Sequence, residues 1–334
     1  MHRSFRHIRT TLGLFAGLAV LLVPAALRAQ SLNLEGQTGG YIIPAAYTIP
    51  SNTGEKWSQP TIGFHYLKAG STIGDFYISS IAEGYNNWIE FGYTRNSHSN
   101  GRDWVQPYNT GEVSGTGASA LWAYSGFNVF SAKVKILAEE RHKKKWIPAV
   151  AIGGIVRQGD YYVTGALTSP KQQAKTNGDI YIVATKLVRQ TKIPLLLDLG
   201  VRGTNAQLYG AGGMAGNSPS PGTASVGGAP TYTNSTAWGA KVFGGLGIPI
   251  PISKSPTAIV IEPGAEIAAE PRHTDNLPTA SIPTTEVYGL RITQLPTFRW
   301  TLDAGIGHVG NQLGPDLYIH ANTVSSIALT YRFK

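Results

Sequence analysis

Thr323-Val-Ser-Ser-Ile-Ala-Leu-Thr-Tyr-Arg-Phe333, one residue short of the chain end, carries the pattern that decides the fold. Ile327, Leu329, Tyr331 and Phe333 share one face; Ser326, Ala328, Thr330 and Arg332 share the other. A period of two is the signature of a strand with one apolar side. The segment before it repeats the pattern. Phe298, Trp300, Leu302, Ala304 and Ile306 oppose Arg299, Thr301, Asp303, Gly305 and Gly307. Farther back, Ile193, Leu195, Leu197, Leu199 and Val201 oppose Asp198, Gly200 and Arg202, and Ile89, Phe91 and Tyr93 oppose Glu90, Gly92 and Thr94.

Extended over the chain, the alternation predicts twelve strands of about ten residues: 61–69, 72–82, 87–96, 125–138, 146–158, 179–188, 193–205, 236–250, 258–270, 285–294, 297–308 and 323–333. The strand over 179–188 has the weakest pattern, because Ile180 to Val183 is apolar on both faces. After the third strand the connections alternate. Residues 97–124, 159–178, 206–235, 271–284 and 309–322 are long; 139–145, 189–192, 251–257 and 295–296 are short. The first connection of the long set, Gly70-Ser71, would be very tight. Long loops at one end and short turns at the other, on an even number of antiparallel strands, predict an all-β transmembrane barrel with short periplasmic turns and long outer loops.

Composition agrees. Charged residues are only 14% of 334, glycine is abundant at 40 and aromatics reach 10%, which disfavours a disordered chain, a coiled coil or a helical bundle. There is no cysteine, so neither a disulfide framework nor a thiolate metal site is available. The formal charge is +9, but Arg3, Arg6, Arg9 and Arg28 lie in the first 29 residues, where there is no acid. The surplus on the remainder does not point to nucleic acid.

Residues 1–29 read as a secretory signal: a basic start, an apolar run from Leu12 to Ala26 too short to span a bilayer, and Ala29 before the cut. The domain reading is therefore 1–29 signal peptide, 30–60 N-terminal segment and 61–334 barrel. Within 30–60, Tyr41-Ile-Ile43 before Pro44 is either a short strand or part of a segment that plugs the lumen or covers its periplasmic mouth.

The stretch Gly36-Gln-Thr-Gly-Gly-Tyr-Ile-Ile-Pro-Ala-Ala46, with the signal and the alternating strands, resembles Gram-negative outer-membrane barrels of the YjbH-like and transporter-like kind. The ending Leu329-Thr-Tyr-Arg-Phe333 is similar to the C-terminal strand signal of outer-membrane proteins, here followed by Lys334. The resemblance implies a barrel in the outer membrane and transfers no catalytic residues.

Motifs of chemistry are weak. Gly305-Ile-Gly-His-Val-Gly310 fits a dinucleotide fingerprint as a string, but Asn311-Gln-Leu-Gly-Pro315 follows in place of the required helix. His65, His98, His142, His273, His308 and His320 are scattered, and His308 and Ser325 form no recognisable nucleophile–base motif. The basic run Arg141-His-Lys-Lys-Lys145 before Trp146 suits a periplasmic turn at the headgroups. Glu262, Glu266 and Glu270 fall on one strand face, too widely spaced to share a metal.

The expected inner wall carries Glu90, Lys133, Lys135, Arg157, Asp198, Arg202, Lys241, Glu262, Glu266, Arg291, Arg299 and Asp303. Two uses are open: a water-filled, mixed-charge channel for small polar solutes, or a closed interior held by ion pairs. The expected function is a narrow outer-membrane channel or transporter, without enzymatic activity, metal or cofactor. The alternative is an envelope scaffold or polysaccharide-export accessory, with an outer-membrane hydrolase behind it. Expected partners are outer-membrane lipid, lipopolysaccharide and a small polar solute, with no nucleic acid.

Overall fold

A computed structural model describes residues 31–70, 74–100, 126–159, 176–191, 193–206, 225–226, 229–230, 238–252, 259–270, 284–294, 299–309, 312–314, 317–318 and 323–333. The expected export signal, His273, His320 and most of the long connections lie outside them.

Twelve strands form the wall: β1 (Thr61–Lys68), β2 (Gly74–Tyr85), β3 (Ile89–Asn100), β4 (Gly126–Leu137), β5 (Ala149–Gly159), β6 (Thr176–Val188), β7 (Leu195–Thr204), β8 (Gly239–Gly247), β9 (Ile259–Ala268), β10 (Thr285–Gln294), β11 (Trp300–His308) and β12 (Val324–Arg332). Each pairs antiparallel with its sequence neighbours, and β12 returns to β1 with Thr61 opposite Arg332 and Lys68 opposite Ser325. Closure matters because an edge facing lipid would leave amides without water or a partner. Short hairpins at Ser225–Val226 with Ala229–Pro230, and at Gln312–Gly314 with Leu317–Tyr318, form sheets separate from the wall.

The strand boundaries shift for local reasons. The expected strand 236–250 is interrupted: β8 ends at Gly247, Pro249 has no amide to donate, and pairing resumes only at Ile250–Pro251 against β9. Trp146 lies outside β5, beyond a tight turn at Arg141–Lys143 in which Glu140, His142 and Lys143 take left-handed backbone conformations. β2 runs on to Tyr85 because Ser58 and Gly84 bond reciprocally beside it.

The outer face is apolar. Ile62, Phe64, Phe91, Phe130, Ile152, Ile182, Leu199, Val242, Ile267 and Leu329 are exposed, and on each strand they alternate with buried residues. Trp57, Trp88, Trp146 and Phe333 ring the short-turn end, and Tyr77, Trp238 and Tyr288 lie toward the other. An apolar band between aromatic girdles, on a closed sheet with a polar interior, is the form that spans an outer membrane, and that is where this barrel resides. Gly305 and Gly307 lie within β11, as strand glycines.

Two measurements test the wall. Leu197 is 40% exposed on the outer face. Arginine there should lower stability by about 2–4 kcal/mol if it meets the bilayer midplane, read from urea titration of refolding in vesicles, whereas Leu197→Ala should cost far less; equal losses would reverse the face assignment. Deleting residues 331–334 removes the pairing of Tyr331 with both Ile62 and Trp300. It should abolish heat-modifiable, protease-resistant barrel in membranes.

Candidate functional site

The lumen is filled by the N-terminal segment. Residues 31–49 are buried except at 34, 40 and 41, which are half-buried, and they fold back on themselves inside the barrel. The Asn33 side chain accepts from the amides of Glu35 and Gln37, and Gly36, with φ of 75°, makes the turn that this requires. The Leu34 amide donates to the Tyr41 carbonyl, and Gly40 and Ala45 donate to the carbonyls of Ile43 and Thr38. The segment has no long ladder of its own, so its remaining amides depend on the wall.

Glu266 on β9 takes three of them. The amides of Tyr41, Ile42 and Ile43 donate to its carboxylate at 2.6, 2.8 and 3.1 Å. A Cβ on Gly40 would stand 1.6 Å from Glu266 Oε1, so only glycine lets the carboxylate under this turn. Glu90 on β3 accepts from the Thr38 amide at 2.9 Å, the Thr38 hydroxyl at 2.6 Å and the Ile49 amide at 3.0 Å. Lys133 on β4 pairs with Glu90 at 3.1 Å and donates to the carbonyls of Thr38 and Ala45. The Ala46 amide donates to the Thr185 hydroxyl, which donates to Asp198.

Guanidinium groups complete the cradle. Arg157 on β5 is fully buried and joins Glu35 of the segment to Asp179 of β6, with Nη2 2.6 Å from Asp179 Oδ2. Arg202 on β7 joins Glu270 at 3.1 Å and lies 3.9 Å from Asp179. Arg291 on β10 binds Asp303 on β11 through two nitrogens, donates to the Gly39 carbonyl and lies 3.9 Å from Glu262. Its guanidinium also stacks over the Tyr41 ring. Ser31 donates to Asp303, and Arg332 donates to the Pro50 carbonyl where the segment leaves the lumen.

Glu90, Lys133, Arg157, Asp198, Arg202, Glu262, Glu266, Arg291 and Asp303 thus lie inside and are spent on the segment or on one another. Half-buried Lys135 reaches Thr48 at 3.4 Å and sits over the Trp88 ring. Lys241, opposite Arg202 in the register, and Arg299, just before β11, are half-buried and take no part in the ties above. Glu35, Thr38, Asp179, Glu139 and Lys186 were not singled out in the sequence. Glu139 accepts from the Leu187 amide and the Tyr47 hydroxyl and pairs with Lys186 at 3.0 Å. Only their positions after folding mark them, since none belongs to a motif. Among the described residues no group of three or more His, Asp or Glu side chains could hold a metal ion.

Above the segment, toward the long loops, the wall changes character. Leu67, Phe76, Ile78, Phe127, Val129 and Val324 line a cavity of about 130 Å³ whose floor includes Leu34, Tyr41 and Ile42. Burial pushes the Tyr41 phenol well above its ordinary value, so it stays neutral.

Replacing Glu266 by leucine would leave three amides without their acceptor, at about 1–3 kcal/mol for each buried unsatisfied group. Limited proteolysis of Glu266→Leu in membranes should cut within residues 31–60 while the barrel stays heat-modifiable. Full protection would show that the carboxylate is not what holds the segment.

Comparison with solved structures returns outer-membrane proteins. A KdgM porin is 10% identical over 82% of this chain and 99% of its own, with a TM-score of 0.41. A NanC porin is 8% identical over 82% and 100%, with a TM-score of 0.43. An outer membrane channel from Pseudomonas putida F1 is 12% identical over 84% and 99%, with a TM-score of 0.38. No curated protein matches. The YjbH-like resemblance drawn from residues 36–46 is not supported: the family that matches, over residues 29–235 and so including that stretch, is another one. By that match the chain belongs to the DUF3034 family, described as proteins of unknown function.

Proposed function

We propose that this protein is a gated outer-membrane channel whose own N-terminal segment closes the lumen at rest. The observation that carries the reading is the mode of attachment. Residues 31–50 are held by hydrogen bonds and ion pairs to side chains of the wall, beside apolar packing of Ile42, Ile43 and Tyr47, with no covalent tie beyond the chain itself. The polar contacts, which include every tie of the segment's backbone to a wall side chain named above, can be exchanged for water one by one. If the segment shifts, the wall it leaves carries Glu90, Lys133, Arg157, Glu266 and Arg291, a mixed-charge surface suited to water and small polar solutes. While it is seated, free diffusion is blocked.

Planar-bilayer recording tests this. The full chain exported to the outer membrane and purified from it should be silent or flicker briefly. A variant lacking residues 31–58 should give stable openings at least about tenfold longer-lived, the lifetime ratio expected when roughly 1.4 kcal/mol of seating energy is lost. A deleted form that inserts as a heat-modifiable barrel yet never conducts would overturn the channel reading and favour an envelope scaffold.

A further inference from the structure

The cavity above the plug is built unlike the rest of the lumen. Its wall is contributed by the long-loop ends of β1, β2, β3, β4, β10, β11 and β12, and its floor by the plug. Phe76, Ile78, Phe127, Val129 and Val324 are at most 8% exposed, yet they face the interior of a barrel that is charged where Glu90, Lys133, Arg157 and Glu266 hold the segment. Three of its lining residues, His65, Asn96 and Tyr41, each carry a buried polar atom without a hydrogen-bond partner: Nε2, Oδ1 and the phenol hydroxyl. Each is buried, and leaving a buried polar group unsatisfied is costly. An apolar chamber with a few convergent polar groups is the usual form of a small-molecule site.

We infer that this chamber binds a small, neutral, mainly apolar molecule carrying one hydrogen-bonding group. Size follows from volume: a cavity of roughly 150 Å³ accepts one benzene ring. Neutrality follows from charge. The acidic groups bordering the chamber are Glu35 and Asp303, and the cations nearest them, Arg157 and Arg291, are already engaged with them. A carboxylate ligand would meet two carboxylates and no free cation. A ligand hydroxyl can donate to Asn96 Oδ1 or accept from Tyr41 once that side chain turns toward the chamber. Because Leu34, Tyr41 and Ile42 belong to the plug, the site exists in full only while the plug is seated. By linkage, the ligand stabilises the seated state. None of this requires that the barrel conduct.

Isothermal titration of the purified chain in lipid nanodiscs, with empty nanodiscs as the blank, tests the site. Benzyl alcohol should bind saturably at one site, with benzoate and glucose at least about tenfold weaker. Ala328→Leu, which fills the chamber from β12, should weaken benzyl alcohol at least about tenfold. Val129→Phe, filling it from β4, should do the same and replaces Ala328→Leu if that variant fails to form a heat-modifiable barrel. Saturating benzyl alcohol should also slow proteolysis within residues 31–60. Absence of saturable heat, benzoate binding as tightly as the alcohol, or unchanged affinity in the filled variants would overturn the inference. Binding is read with the channel closed, so its failure and a failure of the bilayer experiment are separate results.

Discussion

A segment without regular structure can sit at membrane depth only if protein satisfies its backbone. In this barrel that task falls to carboxylates on the inner wall. Glu266 takes the amides of Tyr41, Ile42 and Ile43, and Glu90 takes those of Thr38 and Ile49. The plug's path follows from where these two side chains point. Gly36 and Gly40 are needed because the turns they form press directly on wall side chains, Thr94 and Glu266.

Burying several carboxylates would be prohibitive alone, and the cations answer that cost. Lys133 lies against Glu90; Arg157 sits between Glu35 and Asp179; Arg291 spans Asp303 and the Gly39 carbonyl. A well-hydrogen-bonded buried pair is about neutral against an apolar replacement, but removing one partner costs about 3–5 kcal/mol. The network therefore adds specificity more than net stability. It makes one seating of the plug far better than its alternatives, while keeping the backbone ties of a kind that water can replace. A purely apolar plug would bind the wall with no preferred register.

The same logic separates the lumen into two zones. Where plug and wall exchange backbone hydrogen bonds, the inward residues are charged. Where they meet through side chains, as Ile42 and Ile43 do near Ile155, Tyr181 and Phe243, the wall is apolar. Beyond the plug the apolar lining continues as a chamber with nothing of the described chain filling it, and its unsatisfied polar atoms stand at the boundary between the zones.

Strand period, the alternation of long and short connections and the scarcity of charge determined the barrel, its strand number and the outward face. These are local properties, since inside and outside alternate residue by residue whatever the partner strand. The inward charges, Glu266 and Arg291 among them, were legible for the same reason. What they bind was not. The tie between Glu266 and Tyr41 spans 225 positions, and nothing in the spacing of either residue names the other. The apolar character of Tyr181 and Val183 blurred the alternation of β6, because an inner face packed against protein follows the rules of a core and not of a water-filled pore. Only closure of β12 onto β1 brings these residues around one axis, and only then do a polar cradle and an apolar chamber become distinct places.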